Sequence, residues 1–198
     1  MKNTKEVKER IIKATTELIE ESGGKTESIT SRKIAERADV ALGLINYHFS
    51  NKDNLISICT KRMLSGIIMC FLPDEDGIEV HTNKEQVAQR AKKVLDYIFR
   101  YPSVSSISTL EDLGDYTMRS NSVAIQKGFS LAIDKKAMDE DTKRLLVFML
   151  TSSIQAAFLA SGVSKDVLGY DMNVKEERDA CAKRMIEILF DGVGNGSL

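Results

Sequence analysis

The sequence predicts an all-α chain with two helical domains, a small N-terminal one of three helices and a larger one behind it. Three features predict this. Only two prolines, Pro73 and Pro102, occur in 198 residues, and good helix formers (Leu, Ile, Ala, Lys, Glu) dominate. Apolar residues recur every three or four positions along most of the chain. No segment alternates apolar and polar residues as a half-buried strand would, and no internal repeat is visible.

The elements follow in order. Residues 4 to 22 carry an apolar stripe at Val7, Ile11, Ala14 and Leu18, widened by Ile12 and Ile19. Asn3 and Glu6 fit a capping pair at its start, and Gly23 and Gly24 end it. Thr30 or Ser31 caps a second helix, which runs to Ala38 and buries Ile34, Ala35 and Ala38. Asp39-Val40-Ala41 makes a turn, and a third short helix spans about Leu42 to His48. Ser50 to Asp53 opens a fourth, with Leu55, Ile56, Cys59, Met63, Leu64, Ile67 and Ile68 inward, to about Phe71. Pro73 and the acidic run after it stop that helix, and residues 73 to 79 read as a solvated loop.

Beyond this loop, Asn83 and Gln86 form a capping box for a helix to about Tyr101. Pro102 starts a short helix to about Leu113, and a longer one spans roughly Tyr116 to Lys136. Two long helices close the chain, about 140 to 161 and 174 to 191, the second capped by Asn173 and Glu176. The tail after them is Gly-rich and expected to fray.

Composition narrows the class. Hydrophobic residues make up 42% and charged residues 29%, ordinary values for a water-soluble chain. No run approaches the roughly 18 apolar residues of a membrane span. The start, MKNTKEVKER, leads into a charged amphipathic helix and not a secretory leader, so a cytoplasmic location and no membrane partner are expected. Cys59, Cys70 and Cys181 form no CxxC motif, and His48 and His81 are too scattered for a metal cluster. No cofactor, metal or catalytic residues are expected, because no nucleophile–base set and no phosphate loop is present. The net charge is −1, and the first 55 residues hold ten basic against nine acidic side chains. A nucleic-acid partner must therefore be argued from the placement of residues, not from bulk charge.

Placement does point that way. Two short helices joined by a three-residue turn, braced by a longer helix before them, describe a helix-turn-helix. Asp39 stands where a left-handed residue is needed, and Asp tolerates that conformation better than most. Val40, Ile45 and Phe49 supply the apolar side of the second short helix. Leu42, Gly43, Asn46 and Tyr47 are left facing outward. Gly43 costs a helix about 1 kcal/mol against Ala. It marks either a frayed first turn or a place where something large meets the backbone.

The stretch ITSRKIAERADVALGLINYHFSNKDNL resembles the DNA-binding signature of tetracycline-repressor-family transcriptional regulators, over residues 4 to about 60. Asp39 replaces the family's usual Gly, Ala41 a frequent Ser or Thr, and Leu42 and Leu44 occupy positions that are often polar. The resemblance implies a helix-turn-helix domain over residues 1–51 and a helical regulatory, ligand-binding and dimerisation domain over 52–198. It also implies a homodimeric repressor on a pseudo-palindromic double-stranded operator, released by a small-molecule inducer. Under that reading Tyr47 and His48 contact phosphate. Ser31 and Lys52, each at a helix N-terminus, can converge on further phosphates. Arg32 can reach a base or a phosphate, Asn46 can pair with adenine and Leu42 can touch a thymine methyl. A packed histidine is the other account of His48. Lys5, Lys8 and Arg10 either flank phosphates or form a solvated face.

In the second half, Ser152, Ser153, Ala156, Ala157 and Ala160 lie among Leu145, Phe148, Met149 and Leu159. Cys181, Met185, Ile188 and Leu189 line the last helix. These two helices are expected to form a four-helix dimer interface, with an intramolecular core as the alternative. Eight methionines and the aromatics Tyr97, Phe99, Tyr116 and Phe129 either line a pocket or fill the core. Two other functions stay open: a redox-sensing regulator using Cys59 or Cys70, and a helical enzyme.

Overall fold

The computed structural model describes residues 2–23, 25–71, 82–134 and 137–194, and of residues 2, 3, 64, 68, 69, 193 and 194 the backbone alone. It contains α1 (Lys2–Glu21), α2 (Ser31–Ala38), α3 (Gly43–Phe49), α4 (Lys52–Leu64), α5 (Asn83–Arg100), α6 (Pro102–Gly114), α7 (Asn121–Ser130), α8 (Glu140–Leu159), α9 (Ser164–Leu168) and α10 (Lys175–Gly194). Two 3₁₀ segments, Thr26–Ser28 and Ser65–Phe71, join them. The described residues include no strand. Expectations for Gly24, for Pro73 and the acidic loop, for His81, for Lys136 and for the last four residues lie outside the described residues.

Two compact units divide the chain. Residues 1–66 with 101–110 make the first, and 67–100 with 111–198 the second. The first buries Ile11, Ala14 and Ile19 of α1 with Ile34, Ala35 and Ala38 of α2, Ile45 and Phe49 of α3, and Leu55, Ile56 and Cys59 of α4. α1 packs against both α2 and α4, and α3 against α4. The helix-turn-helix predicted from periodicity is present.

The second unit packs α5, α7, α8 and α10. Val87, Ala91, Val94 and Leu95 meet Phe129, Leu146, Leu150, Ile154, Cys181, Ala182 and Ile186 in one core. Phe99 and Phe158 stack edge to face at 5.3 Å, and Arg178 lies 4.4 Å above the Phe99 ring. Arg178 also bonds Asp96 at 3.2 Å, tying the start of α10 to α5.

Several boundaries differ from the sequence reading. α1 begins at Lys2, ahead of the expected cap Asn3. The box that opens α5 is Thr82 with Glu85: Thr82 N–H donates to the Glu85 carboxylate at 3.1 Å, and Glu85 N–H returns to Thr82 Oγ1 at 3.2 Å. Asn83 instead accepts the Asp134 N–H at 3.0 Å, so the Asn83–Gln86 box does not form. α4 ends at Leu64 and continues as a 3₁₀ segment to Phe71. The expected helix over 116–136 is only Asn121–Ser130. Its start is set from a distance: the Asp112 carboxylate accepts the Asn121 and Ser122 N–H groups at 3.3 and 2.6 Å. Gln155 of α8 then donates to Ser122 Oγ at 2.7 Å, so three helices share one buried polar chain. α9 falls where a linker was expected. Asn173 does not cap α10 through Glu176. Its amide donates to Ser161 O at 3.1 Å, and the Arg178 N–H goes to Val174 O.

Candidate nucleic-acid interface

α2 starts where Thr30, in extended conformation, accepts the Lys33 N–H at 3.2 Å. Thr30 is therefore the cap, and Ser31 is the first helical residue. At the other end Asp39 adopts φ 52°, ψ 57°. Asp39 N–H donates to Glu36 O and Val40 N–H to Ala35 O, the paired bonds of a Schellman stop. The chain reverses there because an Asp accepts the left-handed conformation that β-branched residues refuse.

α3 lacks a side-chain cap, since Ala41 and Leu42 have no hydroxyl to offer. Its first turn closes with tight bonds, Leu44 N–H to Ala41 O and Ile45 N–H to Leu42 O. Ile45 and Phe49 face the core and fix its rotation. Leu42, Gly43, Asn46 and Tyr47 are consequently exposed together, and Tyr47 is 79% exposed. The space around a Cβ at Gly43 is empty to 4 Å. Nothing inside the protein demands a glycine there.

His48 is half-buried, its ring 4.8 Å from Tyr47 and 6.2 Å from Phe49, both edge-on. Among the described residues no hydrogen bond holds its ring nitrogens. Ser50 follows at φ 69°, ψ −51°, and Asn51 N–H closes a tight γ-turn on Phe49 O at 2.8 Å. Asn51 then caps α4, accepting the Asn54 N–H at 2.8 Å.

The cations distribute unexpectedly. Lys52 is half-buried and donates to Thr26 O at 3.3 Å, and Lys33 donates to Ser28 O at 2.9 Å. Both ammonium groups hold the 3₁₀ turn between α1 and α2. Arg10 is exposed but does not stand free: it donates to the carbonyls of Ala38 and Asp39. Arg32 is exposed and lines an open groove of about 440 Å³ with Glu36, Asp39 and Leu42. Sequence reasoning left the cap open between Thr30 and Ser31, which the structure decides for Thr30, and it missed Lys33, Glu36 and the grip of Arg10. Arg10 acts across 28 residues of sequence, which no spacing rule covers.

The thiols do not suit redox sensing. Cys59 is buried, 3.6 Å from Ile12 O, and burial pushes its thiol up to about 11. Burial raises Cys70 and Cys181 as well. A sensor thiol needs the opposite, a low pKa and access. In the described residues no helix is long and apolar enough to cross a membrane.

The geometry is that of a helix-turn-helix. Residues 11–57 match the family model for bacterial regulatory proteins, tetR family. A TetR-like transcriptional regulator from Rhodococcus sp. RHA1 shares the fold at a TM-score of 0.63 and 13% identity, over 96% of each chain. A tetR-family transcriptional regulator from Streptomyces coelicolor reaches 0.69 at 11% identity, over 96% of this chain and 82% of its own. A TetR variant from Acinetobacter baumannii AYE, in complex with minocycline, reaches 0.59 at 19% identity, over 94% and 92%. No curated protein matches the chain. The family match covers the N-terminal segment, and the likeness of fold extends over nearly the whole length of the chain.

Proposed function

We propose that the protein is a homodimeric transcriptional repressor that reads a pseudo-palindromic operator with α3 and leaves it when a small molecule binds. One observation carries the DNA reading: α3 buries Ile45 and Phe49 and exposes Leu42, Gly43, Asn46 and Tyr47 on one side. Leu42 and Gly43 make no packing contact that the monomer's core depends on: Leu42 is exposed and the space at Gly43 is open. In a major groove, Leu42 meets a thymine methyl, Asn46 pairs with adenine and Gly43 lets the backbone approach. Ser31, Tyr47, His48 and Lys52 hold phosphates, and Arg32 reaches a base or a phosphate. Lys52 keeps two further N–H donors beside its bond to Thr26, with the Asp53 carboxylate 3.6 Å away.

The dimer reading draws support from α8. Leu145, Phe148, Met149, Ala156 and Leu159 are exposed, while Leu146, Leu150, Ile154, Ala157 and Phe158 are buried in the subunit's own core. An apolar outward stripe at three- and four-residue spacing suits a second helix. α10 contributes less than expected: Cys181 is buried, and Met185 and Leu189 pack against the core, leaving Ile188 exposed. The ligand is an apolar or amphipathic molecule held in the larger unit. The minocycline bound by a protein of the same fold supports this class. By linkage, the ligand must prefer the conformation in which the two α3 helices are wrongly spaced. Such a regulator works in the cytoplasm.

The deciding experiment is selection of duplexes from a random pool by the purified protein. An inverted repeat with half-sites centred a whole number of helical turns apart is expected. Recovery of no preferred sequence overturns the reading.

A further inference from the structure

Asp39 is the residue about which the chain turns from α2 into α3. The peptide on either side of it is held by one guanidinium. Arg10 Nε and Nη2 lie 3.1 and 2.7 Å from Ala38 O, and Nη2 also donates to Asp39 O. Ala38 ends α2, so its carbonyl has no partner within the helix. The orientation of those two carbonyls is the orientation of the two peptide planes flanking Asp39. Fixing both fixes the dihedral pair that aims α3.

We propose that Arg10 is a positioning residue for recognition: it locks the angle between α2 and α3 and does not itself touch DNA. The proposal rests on reading α3 as the operator-reading helix. α3 is short, seven residues with two buried side chains and no side-chain cap, and its hydrogen bond to α4, from Asn54 to Phe49 O, lies at the end away from Asp39. The Schellman pair, Asp39 N–H to Glu36 O and Val40 N–H to Ala35 O, holds the turn through its N–H groups, and Arg10 braces it through its carbonyls. Charge pairing does not supply that brace. The Asp39 carboxylate lies 3.5 Å from Arg10 but is fully exposed to solvent, where an ion pair contributes little. Lysine is a poor substitute, because its ammonium lacks the planar fork by which Nε and Nη2 together grip Ala38 O.

The test uses the full-length protein, Arg10→Ala, Arg10→Lys and the double variant Arg10→Ala/Asp39→Gly. Affinity is measured for the selected duplex and for a shuffled duplex of equal length, at two salt concentrations. Amide exchange at residues 40–45 is followed in the free protein. Arg10→Ala should weaken the selected duplex about tenfold or more, the size expected when one base is no longer read, and the shuffled duplex less than about twofold with the same salt slope. Exchange at residues 40–45 should quicken. Arg10→Lys should fall close to Arg10→Ala, which decides the matter if Arg10→Ala fails to fold. The double variant should stay weak. Equal losses on both duplexes with a flatter salt slope would make Arg10 a phosphate contact and overturn the proposal. So would full affinity in Arg10→Lys, or rescue by Asp39→Gly. Unchanged exchange overturns it without any DNA present. Failure of the wild-type protein to prefer any duplex would instead sink the operator reading.

Discussion

The Lys52 ammonium lies 3.3 Å from the Thr26 carbonyl, so the first residue of α4 is pinned to the turn that precedes α2. A pinned ammonium beside a helix N-terminus is a fixed positive charge, the kind of group that sets register on a phosphate chain. Lys52→Ala should weaken binding about equally on all duplexes. It should also flatten the log–log salt dependence by about one unit for each phosphate left without its cation, so about two per dimer. Asn46→Ala should instead relax the preference at one symmetric pair of operator positions, by about 1–3 kcal/mol per half-site. Affinities on single-base operator variants at two salt concentrations separate the roles. A changed preferred sequence with Lys52→Ala would reverse them.

Gly43→Ala should part stability from binding. The position is helical and open, so a methyl group should stabilise the free protein by about 1 kcal/mol. If DNA meets the backbone there, the same methyl should weaken operator binding. Thermal melting and operator titration are the two readouts. A more stable protein with unchanged affinity would leave Gly43 as no more than a weak first turn.

Ala156→Arg should yield monomers with little operator affinity, because the exposed α8 stripe would then carry a charge near its C-terminal end. Sedimentation velocity reads the outcome. An unaffected dimer would place the interface elsewhere.

Gly128→Ala should destabilise the larger unit. A Cβ there would stand 2.5 Å from carbons of the Phe71 ring, which rests on α7 and meets Phe129 edge-on at 5.3 Å. Forcing that ring aside costs about 1–3 kcal/mol. Urea unfolding should show the loss, and Phe71→Leu in the same chain should recover part of it. Additive losses would mean that the two residues do not meet.

Acid should weaken the α5–α10 tie. Burial alone would raise Asp96, but hydrogen bonds and charge from Lys175 and Arg178 outweigh it and hold the carboxyl below its usual 3.8. A carboxyl depressed in the folded state stabilises above the unfolded value, and that stability is lost as pH falls through the folded one. Asp96→Asn should therefore lower stability near neutrality and flatten its fall below about pH 3.8. Melting curves from pH 7 to 2.5 test this. Parallel curves for the two proteins would show that another group governs the acid transition.

Local rules carried far in this chain. The stripe Ile11, Ala14 and Ile19, the stop at Gly23, the Thr30 start and the left-handed Asp39 were all legible in the sequence. Helical hydrogen bonds, caps and turns join residues three to five apart, so their signals lie within a short window. The outward residues of α3 were legible for the same reason, once Ile45 and Phe49 were taken as inward.

Tertiary structure alone decided the rest. The expected helix over 116–136 lost its first residues to a cap supplied by Asp112, and only the packing of α6 on its neighbours brings that carboxylate to α7. Periodicity shows that α8 has two apolar faces but not which one turns inward. The fold buries Leu146, Leu150 and Ile154 and leaves Leu145, Met149 and Ala156 outside. The sequence left Arg10 as either a phosphate flank or a solvated cation, and only the packing of α1 against the end of α2 brings it to the Ala38 carbonyl. Each of these depends on which surfaces meet, and burial acts on the summed area of distant segments, which no short window of sequence contains.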